Sequence, residues 1–201
     1  MELLYDKKMR KSRWIVGVDE AGRGPLAGPI TLACVLCPKN YARRFLRGIK
    51  DSKRLTLTAR EEWLQKIKNH PKFFCFSVSS GPAVIDREGL SKTVKRAIAR
   101  LLRKAEIKGQ TSFQVLLDGS LFAPQKYRQK TIIKGDEKVP VIAAASIVAK
   151  VSRDRKMARL ARLFPQYAFE AHKGYGTRLH YKMLKKHGPC AIHRQTFLRD
   201  Y

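Results

Sequence analysis

The sequence predicts an α/β fold, a mixed five-stranded sheet with helices packed on its faces, and three observations lead to it. Five short apolar runs rich in β-branched residues are interleaved with longer stretches whose apolar residues recur every three or four positions. The first two strand-like runs are joined by only a short turn, which suits antiparallel pairing. Helix-then-strand entries later in the chain suit parallel addition, so the sheet is mixed.

Each element has its own signal. Trp14-Ile15-Val16-Gly17-Val18 is the first strand, and it delivers two adjacent carboxylates, Asp19 and Glu20, to a sharp turn at Gly22-Arg23-Gly24. Residues 30–37 read as the second strand, stopped by Pro38. Thr58-Ala59-Arg60-Glu61 reads as a capping box opening a helix through Trp63, Leu64 and Ile67, closed by Pro71. Residues 73–78 are a third strand before Gly81-Pro82. Leu90, Val94, Ala97, Ile98, Leu101, Leu102 and Ala105 set a helix over residues 86–108, with Gly109 as its C-cap. The fourth strand, residues 113–119, ends on Asp118-Gly119, and residues 130–134 are a short fifth. After Gly135-Asp136-Glu137 a long helix starts near Pro140 and ends at Pro165; a last one runs from Thr177 to Gly188-Pro189. The expected organisation is a basic tail over residues 1–13 and one domain over residues 14–201, with a helical C-terminal extension from about residue 165.

Charge is the compositional outlier. Lysine and arginine number 43 against 16 acids, a formal net charge of +27 in 201 residues, so polyanions and nucleic acid above all are the expected partners. Self-repulsion at this charge favours a monomer. No apolar run approaches the ~20 residues needed to cross a bilayer, and residues 1–13 lack the apolar core of a signal peptide, so no membrane partner and a cytoplasmic location are expected. Cys34 and Cys37 are spaced C-x-x-C but lie in a strand, where positions three apart face opposite sides; they read as buried reduced thiols rather than a zinc pincer.

Chemistry gathers at element ends. Asp19, Glu20, Asp118 and Asp136 all fall at strand ends or helix starts. Clustered carboxylates need cations, and oxygen donors without histidine or cysteine favour Mg²⁺ or Mn²⁺. Two ions roughly 4 Å apart would activate water and stabilise the leaving oxygen of a phosphodiester. Asp19 and Glu20 are neighbours and point to opposite faces of a strand, so they share a site only if the chain turns there or Glu20 uses its carbonyl. Asp136, just before a helix, reads equally as a cap. Gly22, Gly24 and Ala27 also meet a loose dinucleotide-binding spacing, but Pro25 and Pro29 stand where the phosphate-binding helix should begin. A hairpin with a solvated acidic corner is the plain alternative. Lys53, Lys150 and Arg153 read as phosphate contacts or as solvated basic positions; Lys150 and Arg153, three apart on a helix, share a face. His172, His180, His187 and His193 show no metal-ligand spacing and read as surface or capping residues.

Five segments in order carry a resemblance: Asp19-Glu20-Ala21-Gly22-Arg23-Gly24, Asp51-Ser52-Lys53-Arg54-Leu55, Leu117-Asp118-Gly119, Lys134-Gly135-Asp136 with the stretch from Ala143 to Asp154, and His172-Lys173-Gly174-Tyr175-Gly176-Thr177. Together with the closing His193-Arg194-Gln195-Thr196-Phe197, the chain resembles ribonuclease HII over roughly residues 14–197. The resemblance implies a ribonuclease H-like fold. It implies cutting of RNA in RNA–DNA hybrids and nicking 5′ of single ribonucleotides in duplex DNA, leaving 5′-phosphate and 3′-hydroxyl ends. It matches Asp19, Glu20, Asp118 and Asp136 to metal-binding, catalytic carboxylates. Gly22-Arg23-Gly24 matches a backbone reader of the 2′-hydroxyl, and Tyr175 matches a tyrosine that packs on the following nucleotide. Ribonuclease HIII would show lysine in place of Arg23 and an added N-terminal domain. A basic protein that binds nucleic acid without cutting it explains +27 equally well, but not four acids at element ends. The tail from Gln195 to Tyr201 loosely resembles a replication-clamp peptide.

Overall fold

In the first strand, β1 (Trp14–Ala21), side chains alternate strictly between two cores. Ile15 belongs to one apolar cluster, Val16 and Val18 to the other, as a two-residue period requires. A computed structural model describes residues 12–49, 52–107 and 112–198; the expected basic tail before residue 12, Asp51, Gly109 and the last three residues lie outside them.

β2 (Ile30–Pro38) pairs antiparallel with β1, and β3 (Phe74–Ser80) antiparallel with β2. On the other side β4 (Phe113–Asp118) and β5 (Gln129–Ile132) add in parallel. The sheet is five-stranded and mixed, as expected, and its order β3-β2-β1-β4-β5 puts β1 at the centre. Cys34 and Cys37 fall into opposite clusters, both fully buried and free. Burial pushes each thiol up to about 12, so neither is a thiolate.

One face of the sheet carries α1 (Lys39–Phe45), α2 (Leu57–Asn69) and α6 (Pro140–Leu163); the other carries α3 (Pro82–Glu88) and α4 (Leu90–Ile107). α6 is the central helix. Its alanines at 143, 144, 145 and 149 are buried and let it lie close on β1, where a side-chain carbon at Gly17 would collide with the Val141 carbonyl. A third cluster, Ala27, Met157, Ala161, Tyr167, Phe169 and Ile192, joins α6 to the C-terminal segments α7 (Phe169–His172) and α8 (Arg178–His187).

Three expectations need correction. The N-cap of α2 is Thr56, whose hydroxyl accepts from Ala59 N, two residues before the capping box expected at Thr58. The helix expected over residues 86–108 is two helices, broken where Gly89 takes φ +78°. The fifth strand begins at Gln129 and ends at Ile132, because Lys134 turns left-handed (φ 54°) to start α5 (Gly135–Lys138).

Candidate active site

The strand alternation that buries Ile15 puts Asp19 on the α6 side of the sheet, beside Ser146. β4 runs parallel to β1 with Val18 opposite Leu117, so Asp118 ends its strand next to Asp19. Asp118 Oδ1 then accepts the backbone N–H groups of Gly135 (2.6 Å) and Asp136 (3.3 Å). That pair of bonds pins the start of α5 and brings Asp136 inward. One carboxylate oxygen from each of Asp19, Asp118 and Asp136 lies within 4.8 Å of the other two, the one group of its kind among the described residues. Asp136, which also read as a cap, is buried in this cluster.

Glu20 stands apart from the three. β1 stays extended through Ala21, so Glu20 leaves the strand on the side opposite Asp19, although both border the same cleft. Its Oε1 accepts from Arg23 Nε at 2.6 Å, and its Oε2 is buried without a partner. The four expected carboxylates are therefore arranged as three together and one beside the turn.

Electrostatics in the cluster are strained. Burial, then the charge of Asp118, push the Asp19 carboxyl up to about 8, against hydrogen bonds from Glu20 N (2.7 Å) and the Ser146 hydroxyl. Ser146 is itself bonded to Ser52 (2.8 Å), a buried pair behind the acids without a role assigned from the sequence. Lys53 Nζ reaches Asp136 Oδ2 at 3.5 Å from an exposed position.

Asp19, Glu20 and Asp118 line a cleft of about 640 Å³ whose walls include Gly22, Arg23, Gly24, Lys53, Lys150 and Tyr175. Tyr175 is 42% exposed. Lys150 pairs with Asp154 at 2.9 Å. Arg153 departs from its expected place. It is fully buried, donating from Nε to Pro29 O (3.0 Å) and from Nη2 to Lys173 O (2.9 Å), with its guanidinium carbon 5.5 Å from the Tyr175 ring centroid. α6 is enclosed along most of its length, so the shared face of Lys150 and Arg153 does not imply shared exposure.

The most consequential residue left without a role by the sequence, though quoted in the closing segment, is Arg194. Its guanidinium donates to Gly22 O (2.6 Å), Arg23 O (2.8 Å) and Gly28 O (3.1 Å), so one buried side chain from the C-terminal segment holds the carbonyls of the turn. Gly22 takes φ +93°, and a side chain there would strike Arg153. Burial, then the charge of Arg153, pull the Arg194 guanidinium down to about 10. The histidines also need correction: His172, His180 and His193 are buried rather than on the surface.

Three comparisons bear on this site. The ribonuclease HII family profile matches residues 16–200. A ribonuclease HII of Caldanaerobacter subterraneus is 41% identical over 198 residues, covering 96% of this chain and 78% of that protein. One from Caldicellulosiruptor bescii is 40% identical, covering 94% and 88%. Among solved structures, RNase HII of Archaeoglobus fulgidus, in its complex with PCNA, superposes with a TM-score of 0.70 at 27% identity over 89% of this chain and 92% of that one.

Proposed function

Because the chain belongs to the ribonuclease HII family and is an endoribonuclease of the ribonuclease H type, we propose that it cuts the RNA strand of RNA–DNA hybrids. It also nicks duplex DNA 5′ of a single embedded ribonucleotide, leaving 5′-phosphate and 3′-hydroxyl ends. The observation that supports this reading best is three converging carboxylates, two of which, Asp19 and Asp118, line a cleft walled by a glycine turn and an exposed tyrosine.

The residues fit a divalent cation. Three hard oxygen donors converge, and burial together with the charge of Asp118 raises the Asp19 carboxyl, a repulsion that a divalent cation would relieve. Asp19, Asp118 and Asp136 would hold Mg²⁺ or Mn²⁺, in a one- or two-ion arrangement, and Glu20, with its unpartnered buried oxygen, would complete the set. When bound, such ions supply a lowered water pKa and positive charge against the leaving oxygen. The remaining steps belong to the chain. Asp118 holds Asp136 in place through the Gly135 and Asp136 amides. Arg194 draws the carbonyls of Gly22 and Arg23 inward, which frees the other side of the turn to meet a 2′-hydroxyl. Tyr175 offers a ring for the next nucleotide, and Lys53 and Lys150 stand at the rim for phosphates. Arg153 serves as a brace for the Lys173 loop rather than as a phosphate contact.

The catalytic unit in this reading spans residues 14–201 and works in the cytoplasm as a monomer. Among the described residues no helix is long and apolar enough to cross a membrane. Contact with a sliding clamp, as in the Archaeoglobus complex, has an obstacle in this chain. Gln195–Phe197 is folded back on α3, with Asp86 accepting from Gln195 N and Thr196 N at 3.0 Å each.

The deciding experiment is cleavage of a DNA duplex carrying one ribonucleotide, with Mg²⁺, Mn²⁺ or EDTA. A metal-dependent nick 5′ of the ribonucleotide is expected. Cutting of long hybrids alone would take the junction reading away from Gly22–Gly24, and no cutting with either metal would overturn the proposal.

A further inference from the structure

The three buried histidines form a connected device whose hydrogen-bond directions can be worked out. His193 Nδ1 lies 2.9 Å from Cys190 N–H and 3.3 Å from the Cys190 carbonyl; because the far end of the chain is the Tyr175 carbonyl, which can only accept, Nδ1 accepts from the amide and the proton of the neutral ring is on Nε2. That Nε2–H faces His180 Nε2 at 3.0 Å, so His180 accepts there and carries its own proton on Nδ1. His180 Nδ1–H then donates to the Tyr175 carbonyl at 2.9 Å. His172, stacked on His180 with ring centroids 4.3 Å apart, is fixed independently. It accepts from Gly174 N at Nδ1 (3.2 Å) and donates from Nε2 to Tyr167 O (2.8 Å). Every ring nitrogen is satisfied with all three imidazoles neutral, and only one direction of the chain does this.

The chain joins two walls of the cleft. His193 forms a β-bridge with Ala27, and the next residue, Arg194, holds the Gly22 and Arg23 carbonyls. Gly174 O receives Leu26 N and Ala27 N, and Tyr175 stands at the far end of the relay. We propose that His193 and His180 are positioning residues for Tyr175, a hydrogen-bond chain of fixed direction from the Cys190 amide that sets where the tyrosine stands relative to the Gly22–Gly24 turn. This rests on the reading above, in which turn and tyrosine together recognise a ribonucleotide. The groups that face the relay keep it neutral: Tyr167 and the Cys190 thiol beside His193, and His172 against His180, with Arg153 beyond Tyr175. Burial accordingly holds His180 down to about 4 and lowers His193.

Two measurements test it, and they fail separately from the nuclease reading. ¹⁵N-histidine spectra of the free full chain at pH 7 are expected to show His180 as the Nδ1–H tautomer and His172 and His193 as Nε2–H tautomers. Any other pattern, or a charged ring, overturns the relay whatever the chain cleaves. Steady-state cleavage of a single-ribonucleotide duplex then reads its purpose. His193→Ala is expected to raise KM about tenfold with kcat nearly unchanged, the scale of a displaced contact rather than lost chemistry. His193→Gln, whose amide can still donate to His180 and accept from Cys190, is expected to restore KM. Equal KM in all three proteins, or a loss in His193→Ala that only follows its melting temperature and is not rescued, makes the histidines packing alone and overturns the proposal. If wild type cuts no ribonucleotide duplex, the function falls while the spectra still judge the relay.

Discussion

A carboxyl group that burial and a neighbouring acid push up to about 8 is a costly way to hold a fold together, and Asp19 is such a group. Asp19→Asn keeps its shape and its bond from Glu20 N while removing a like charge from Asp118. Turnover with Mg²⁺ is expected to fall ~10³-fold or more, while melting in EDTA stays level or rises by a few degrees; a large drop in melting temperature would make Asp19 a structural residue. The imidazole relay carries a pH signature of its own. His180 and His193 titrate below their ordinary value in the folded chain, so the unfolded chain binds more protons below about 6.5. The His180 contribution is complete above that pH and is lost as pH falls toward about 4, and His193 acts in the same direction. Asp19, raised from 3.8 to about 8, contributes with the opposite sign over the whole of that range. The comparison is therefore Asp19→Asn against Asp19→Asn/His180→Asn by urea unfolding at pH 7 and 5, and the first is expected to lose more stability than the second. The acids at strand ends were legible in the sequence because a strand has a definite end and a carboxylate there has few other uses. Arg153, Arg194 and the three histidines were not. A buried cation is usually marked by a partner acid, but these arginines bond to carbonyls, which every residue has.

Between elements, the tightest joint is α6 on β1. Gly17 lies where the helix comes closest, and no side chain fits between it and Val141. Gly17→Ala is expected to cost about 1–3 kcal/mol, seen as a lower denaturant midpoint. It should also depress cleavage, since Asp19 is two residues further along the same face; an unchanged midpoint would mean that the joint is slack. The mixed pairing was readable from the short turn between β1 and β2 and from the helix that precedes β4, whereas the order of the strands across the sheet was not. The break at Gly89 was not, because apolar spacing continues from Ile85 through Leu90 as if one helix ran on. Only the positive φ, invisible in the sequence, separates α3 from α4. Likewise α1 has a single buried residue, Ala42, and no apolar stripe to announce it.

At the scale of the whole molecule, +27 of formal charge surrounds a cleft whose floor is acidic. The two parts divide the work in binding a nucleic acid: the basic surface supplies attraction that ignores sequence and sugar, and the cleft supplies discrimination. That division predicts parallel salt dependence. In EDTA, plots of log K against log salt for a plain DNA duplex and for one carrying a single ribonucleotide should share a slope and differ only in height. Each phosphate-touching lysine contributes about 0.9 to that slope. Lys53→Ala and Lys150→Ala should each flatten it by up to that amount, because both stand at the rim of the cleft. Arg153→Lys should leave the slope unchanged even if affinity falls, because Arg153 is buried against carbonyls and releases no counterion when a duplex arrives. Slopes that differ between the two duplexes would move sugar recognition out of the turn and into the charged surface. A flattened slope in Arg153→Lys would return that arginine to the phosphates.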